Sequence, residues 1–336
     1  MTNLITSVLV LAVLAGGCKP RQEEAAYTQN TFMMSVPAQV KVYGADEVAG
    51  KAVADAVFAE WNRISSEFSY TDPYSLTSLL NKKAFGEWVK VDDEFMTLLL
   101  LALDYYRLTE GAFDITFAPL WPLWKEAAST RKMPAKEEIA KALKNMGTGF
   151  IQVDPAKKMV RFTKPVQINL GGLLRGYCFE RAYKLIKEKA LPYPVEMRIG
   201  GDMLVYGDKE WKYGVVDPYN QNKRKGTLTF TDGLIMASSG REIFVEIEGK
   251  LYSHILNLRT GYPIENFSNL TVYFPGVENE NFLSTTVLAV IGRDKAFKLL
   301  GALKGTTAVW LDGAGEASVF QNEASKARWE AEKGVF

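Results

Sequence analysis

The chain has 336 residues, of which 47% are apolar and 24% charged, a composition that supports a sizeable core in one large domain or two smaller ones. Its 40 basic and 39 acidic side chains leave a formal charge of +1, so there is no basic field to hold nucleic acid, and nucleic acid is not expected as a partner. Only two cysteines are present, Cys18 and Cys178, which excludes metal sites built from several thiolates.

The first eighteen residues differ from the rest. Val8 to Leu14 is apolar but too short to span a bilayer, and it ends in Ala15-Gly16-Gly17-Cys18. An apolar core, small residues and then cysteine resemble a lipobox, in which Cys18 would carry lipid and become the new N-terminus. A secretory signal with an incidental cysteine, or a ragged cytoplasmic N-terminus, is the alternative. Residues 19–30 then read as a polar tether, and 31–330 as one continuous domain. A lipid on Cys18 would place that domain on a bacterial membrane, facing the periplasm or the exterior.

Ala38 to Tyr43 alternates like a strand, and Val53, Ala56, Val57, Trp61, Ile64 and Phe68 recur at helical spacing. Further helices are predicted over 93–110, with Asp93 as cap and Gly111 as stop, and over 134–146, with Pro134 at the start. Alternation predicts strands at 152–162 and 166–170. A helix follows Gly171-Gly172 and buries Cys178 as a small core residue. Strands then dominate, at 195–206, 212–216, 227–231, 243–248 and 270–274, before a helix at 293–303 and a strand at 307–311. Helices early and strands late, without regular alternation, predict an α+β fold with helices on a largely antiparallel sheet.

Six clusters carry candidate chemistry. His254, the only histidine, stands where a strand runs into the turn Asn257-Leu258-Arg259-Thr260-Gly261; imidazole is the side chain best suited to take a proton near neutral pH. Gln167 to Gly176 places two glycines and Arg175 at a helix start, where free N–H groups and a guanidinium can dock an anion, although such glycines also serve plain turns. Gly200-Gly201-Asp202 within a strand suggests a bulge or a close approach by a ligand. Ser238-Ser239-Gly240-Arg241 offers hydroxyls in a turn without a nucleophile elbow. Gly111 to Leu120, followed by Trp121 and Trp124, reads as a loop with aromatic packing. Asn279 to Thr286 spaces oxygen side chains either for a hard cation or for a helix cap.

In this order the clusters resemble the ApbE family of FAD:protein FMN transferases. Phe68-Ser69-Tyr70 with Ser75 and Leu80-Asn81 is similar to the family's F-S-x-Y-x-x-x-S…L-N, and Gly111 to Leu120 to its G-A-F-D-x-T-x-x-P-L. Asn169 to Gly176 resembles D-L-G-G-I-A-K-G, Ile199 to Asp202 resembles A-G-G-D, Ser239-Gly240 resembles the family's S-G turn, and His254 to Gly261 resembles H-I-x-D-P-x-T-G. The resemblance implies the family's single-domain fold, FAD as substrate, Mg²⁺ as metal, and an acceptor protein whose threonine or serine hydroxyl takes FMN as AMP leaves. It implies FAD contacts at Met34, Tyr70, Ala112, Phe113, Asp114, Asn169, Arg175 and Ile255. It further implies metal ligands at the Gly172 carbonyl, Asn281 and Thr285, and deprotonation of the acceptor hydroxyl by His254. Several positions depart from the pattern: Asn169 stands for Asp, Arg175 for Lys, and Asn257-Leu258 for Asp-Pro. The metal segment has Asn281 or, in the other register, Phe282 where the family has Asp.

Overall fold

The computed structural model describes residues 25–241, 244–277 and 284–332; Cys18 and Asn281 lie outside them. Eight strands form one sheet, in the order Ala26–Met33, Val36–Tyr43, Val195–Ile199, Asp202–Tyr206, Gly233–Ser239, Phe267–Phe274, Thr307–Asp312 and Ala317–Gln321. Every ladder in it is antiparallel. The α+β expectation is met.

Alternation within these strands builds two separate cores. Leu204, Leu234, Met236, Val272 and Ala308 face a helical layer. Their neighbours Met203, Val205, Ile235, Tyr273 and Val309 face the other way. There they meet Trp211, Val215, Leu228 and Phe230 of a second sheet, in which Asn220–Phe230 lies between Trp211–Asp217 and Arg328–Ala331. A period of two sends successive side chains to opposite faces, so one sheet is covered on both sides.

The helical layer centres on α1 (Glu47–Glu67) against α6 (Gly171–Glu188). The Trp61 indole donates to the Cys178 carbonyl at 2.8 Å and meets the Phe179 ring edge-on, with centroids 5.7 Å apart. Both rings are fully buried, and truncating either to alanine would cost about 3–5 kcal/mol. Cys178 is buried as expected, and burial pushes its thiol pKa up, which leaves it unreactive. Beside this pair lie α2 (Leu76–Lys83) and α3 (Asp93–Leu108). A third, smaller core joins α4 (Trp121–Thr130) and α5 (Lys136–Lys144) to the hairpins Phe244–Ile247/Lys250–Ser253 and Leu256–Asn257/Tyr262–Pro263. Near the C-terminus α7 (Thr285–Ile291) and α8 (Arg293–Gly301) pack on the main sheet.

Several expectations are corrected. The segment 19–30 is not all tether, because Ala26 to Asn30 belong to an edge strand; its alternating exposed polar residues resemble a linker in sequence. Asp92, not Asp93, caps α3, accepting from the Phe95 amide at 2.7 Å. Residues 166–170 pair with no strand among the described residues, because their backbone bonds go to side chains and a loop. Gly200-Gly201 is the turn between two strands, not a bulge inside one. The aromatic stretch after Leu120 is helical, as α4.

Candidate functional site

Beyond α3 the chain turns sharply. Thr109 Oγ1 donates to the Tyr105 carbonyl at 2.7 Å and accepts from the Phe113 amide at 3.0 Å. This folds Ala112, Phe113 and Asp114 inward, where all three are buried. Asp114 Oδ1 accepts from the amide and hydroxyl of Thr116 at 2.7 and 2.6 Å. Burial nonetheless raises its pKa, since desolvation outweighs those two bonds.

The next wall comes from the segment before α6. Asn81 grips Ile168 by both backbone groups, at 3.0 and 2.8 Å, and the Asn169 amide donates to the Ile115 carbonyl at 2.7 Å. Asn169 Oδ1 then accepts the Gly171 amide at 2.8 Å, closing the first turn of α6. An oxygen is all this bond requires, so asparagine fills the place of aspartate in it. A Cβ on Gly171 would lie 2.9 Å from that oxygen, and one on Gly172 would lie 3.1 Å from the Phe113 ring; the two glycines let the helix start approach both side chains.

Arg175, one turn on, reaches toward Asp202, with Nη1 3.8 Å from Oδ2. Asp202 is buried and accepts the Ala237 amide at 2.9 Å. Burial lifts its pKa to about 6, against the opposing pull of Arg175. From the neighbouring strand end Ser238 Oγ lies 2.7 Å from Thr285 Oγ1 and 3.0 Å from Thr286 Oγ1. Three hydroxyls thus meet where α7 begins.

His254 stands exposed between two small hairpins. Its loop is fixed from below: Asn257 Oδ1 accepts from Arg259 N at 3.1 Å, and its carbonyl from Gly261 N at 2.8 Å. Asparagine therefore makes the Asx-type turn that aspartate makes elsewhere. Gly261 has φ 77° and comes so close to α5 that a Cβ would sit 2.5 Å from Ile139 Cγ2.

These walls enclose one cavity of about 810 Å³. Of the predicted residues it brings together Ala112, Phe113, Asp114, Asn169, Gly172, Arg175, His254, Ile255 and Thr285. Met34 and Tyr70 do not line it; Met34 packs against the core, and Tyr70 is exposed beside the capping turn of α2. The Phe68-to-Asn81 motif thus acts here as scaffolding: Ser75 caps α2, and Asn81 holds the Asn169 segment. Sequence reading missed Trp121 as a lining residue, and with it Tyr213 to Val216. Trp121 directly follows the Gly111-to-Leu120 motif, whereas no local signal marks Tyr213 to Val216, because the folding of distant strands brings them there.

The profile of the ApbE family matches residues 34–310. The chain belongs to the ApbE family. A relative from Haemophilus influenzae named FAD:protein FMN transferase is 30% identical over 93% of each chain. The crystal structure of the ApbE protein of Thermotoga maritima, 27% identical, superposes with a TM-score of 0.78 over 89% of this chain and 97% of its own. The flavin transferase ApbE of Vibrio cholerae, 19% identical, shares the fold at a TM-score of 0.74, over 89% of this chain and 98% of its own. In this ApbE chain the cavity is thus built from five of the six motif regions, and the remaining one supports it from behind.

Proposed function

We propose that the chain is an FAD:protein FMN transferase, moving FMN from FAD to a threonine or serine hydroxyl of an acceptor protein with release of AMP. The observation that carries this reading is the cavity itself. Its volume of about 810 Å³ lies within the range of cofactor sites, and it gathers an anion-binding helix start, a guanidinium and the only histidine. Relatives that match most of this chain bear the name of that activity.

The first turn of α6 and Arg175 would hold the pyrophosphate, by N–H groups, the helix dipole and charge-assisted bonds. Phe113 and Ile255 offer apolar surface to the rings. The acceptor oxygen attacks the FMN phosphorus as the bond from that phosphorus to the bridging oxygen breaks. AMP departs with that oxygen, and His254 takes the hydroxyl proton. Catalysis of this kind is mostly positioning and electrostatics. Met34 and Tyr70 would touch only a part of FAD that extends beyond the cavity.

A hard cation suits the donors available. The Thr285 hydroxyl and the Gly172 carbonyl offer oxygen donors, and no group of three or more His, Cys, Asp or Glu side chains stands ready for a metal among the described residues. Such a sparse oxygen set suits a hard cation such as Mg²⁺. Gly172, Thr285 and Asn281 would hold it, and it would supply positive charge against the pyrophosphate. The lipobox-like end at Cys18 leads us to propose a lipid anchor on a bacterial membrane, tested by loss of labelled-palmitate incorporation in Cys18→Ala.

The deciding experiment mixes the purified protein with FAD, Mg²⁺ and an acceptor domain from a covalently flavinylated protein, followed by denaturation, in-gel flavin fluorescence and an AMP assay. Fluorescent acceptor with AMP in equal amount supports transfer. AMP without labelled acceptor would mean FAD hydrolysis. Intact bound FAD with neither product would mean a flavin-binding protein without catalysis.

A further inference from the structure

Among the described residues the strand Trp211–Asp217 is the edge of its three-stranded sheet, ladder-bonded to Asn220–Phe230. The strand is part of the wall of the cavity: Tyr213, Gly214, Val215 and Val216 all line it. The register of the ladder shifts at Val215/Val216 and again at Val216/Asp217, a bulge at the point where the strand passes the cavity. Bulges re-aim a strand beside a site and also protect edges from chance pairing. Here protection is incomplete, since Val216 remains 45% exposed and Tyr219, at the hairpin tip, 52% exposed.

Side-chain bonds tie the strand and its hairpin tip to their surroundings. The Tyr213 hydroxyl donates to the Gly201 carbonyl at 2.8 Å, and the Tyr219 hydroxyl donates to the Gly313 carbonyl. Asp217 Oδ1 closes the tip by accepting from the Tyr219 and Asn220 amides at 2.8 and 3.2 Å. The hairpin carries Lys212, Lys223, Arg224 and Lys225 against the single acid Asp217. In a chain of net charge +1 that is a local positive excess, and Arg241, whose guanidinium lies 4.3 Å from the Tyr219 ring centroid, adds to it.

We propose that the acceptor protein is captured here by strand addition: an extended acceptor segment pairs with Trp211–Asp217, with acidic residues beside its modified hydroxyl meeting Lys223 and Arg224. The proposal rests on the transferase reading above and specifies how its second substrate docks. Main-chain bonds would give affinity whatever the side chains are, and the period of two would turn every second side chain toward the cavity. A threonine at one such position delivers its hydroxyl to the phosphorus. The charged rim would raise the rate of encounter with an acidic partner.

The test uses the full chain with FAD, Mg²⁺ and the acceptor domain from the transfer assay. Hydrogen exchange of the 211–217 amides is measured with and without acceptor, and the acceptor KM is measured for the double variant K223E/R224E. The expected result is exchange at 211–217 slowed about tenfold by acceptor, and an acceptor KM raised about tenfold with FAD affinity unchanged, tenfold being roughly 1.4 kcal/mol. Full transfer with exchange at 211–217 unaltered and KM unchanged overturns strand addition while leaving the transferase intact. Absence of any transfer by the unmodified chain overturns the transferase reading, and the docking proposal with it.

Discussion

The indole of Trp124 donates its N–H to the Gly261 carbonyl at 2.8 Å, linking α4 to the turn that follows His254 across 137 positions of sequence. The only histidine is thereby positioned from a helix that never touches it in sequence. Trp124→Phe keeps an aromatic ring but loses part of the buried indole and the bond, the bond alone at about 0.5–1.5 kcal/mol. Urea unfolding should register that cost, and kcat for FMN transfer should fall while FAD affinity holds. An unchanged kcat would mean the loop is fixed by its other contacts.

His254→Ala should lower transfer at least about 100-fold, the lower end of what a positioned general base contributes. Flavin fluorescence titration should show FAD still bound. Loss of binding instead would make His254 a ligand contact.

Gly171→Ala puts a Cβ 2.9 Å from Asn169 Oδ1 and must displace that side chain. Losing one bond at the helix start should weaken FAD about tenfold, or roughly 1.4 kcal/mol. Equilibrium dialysis with FAD measures this directly, and full affinity would show that Asn169 has no part in holding the ligand.

Thr285→Val removes a buried hydroxyl that lies 2.7 Å from Ser238 Oγ. If Thr285 binds Mg²⁺, half-maximal transfer should need about 10–100-fold more metal. Chelation with EDTA should stop the unmodified enzyme, and added Mg²⁺ should restore it. A metal requirement unaffected by the substitution would remove Thr285 from the ligand set.

Asp202 has a folded pKa of about 6 against an ordinary 3.8. Between about pH 4 and 6 the folded state holds a proton that the unfolded chain has released, so this group's contribution to stability is present below that window. It is lost as pH rises through it and level above. Asp202→Asn lacks the slope. The stability difference between the two proteins should therefore change by on the order of 3 kcal/mol between pH 4 and pH 7, at about 1.4 kcal/mol per pK unit. Urea titrations at four pH values would test it, and parallel curves would contradict the pKa shift.

Much of the cavity was legible from residue order because its walls are short, local motifs: Gly111 to Ile115, Asn169 to Arg175, and His254 to Gly261. Each is a turn whose chemistry is written in adjacent residues. Helices with strong apolar period, such as α1, were also plain. What escaped depends on distant partners. Ala26 to Asn30 look like linker until Val36–Tyr43 pairs with them. Residues 166–170 alternate like a strand, yet Asn81 takes the backbone bonds a neighbouring strand would have made. The Trp211–Asp217 edge reaches the cavity only because Trp211 and Val215 pack on Met203 and Ile235 of the main sheet.

Trp121 stands on the cavity wall with 44% of its surface exposed. Indole emits light where an isoalloxazine ring absorbs it, so a flavin seated in that cavity would accept energy from this ring over a very short path. The protein thus carries its own optical gauge of occupancy: native emission should dim as FAD enters and recover as product leaves, letting each turnover be followed without a label.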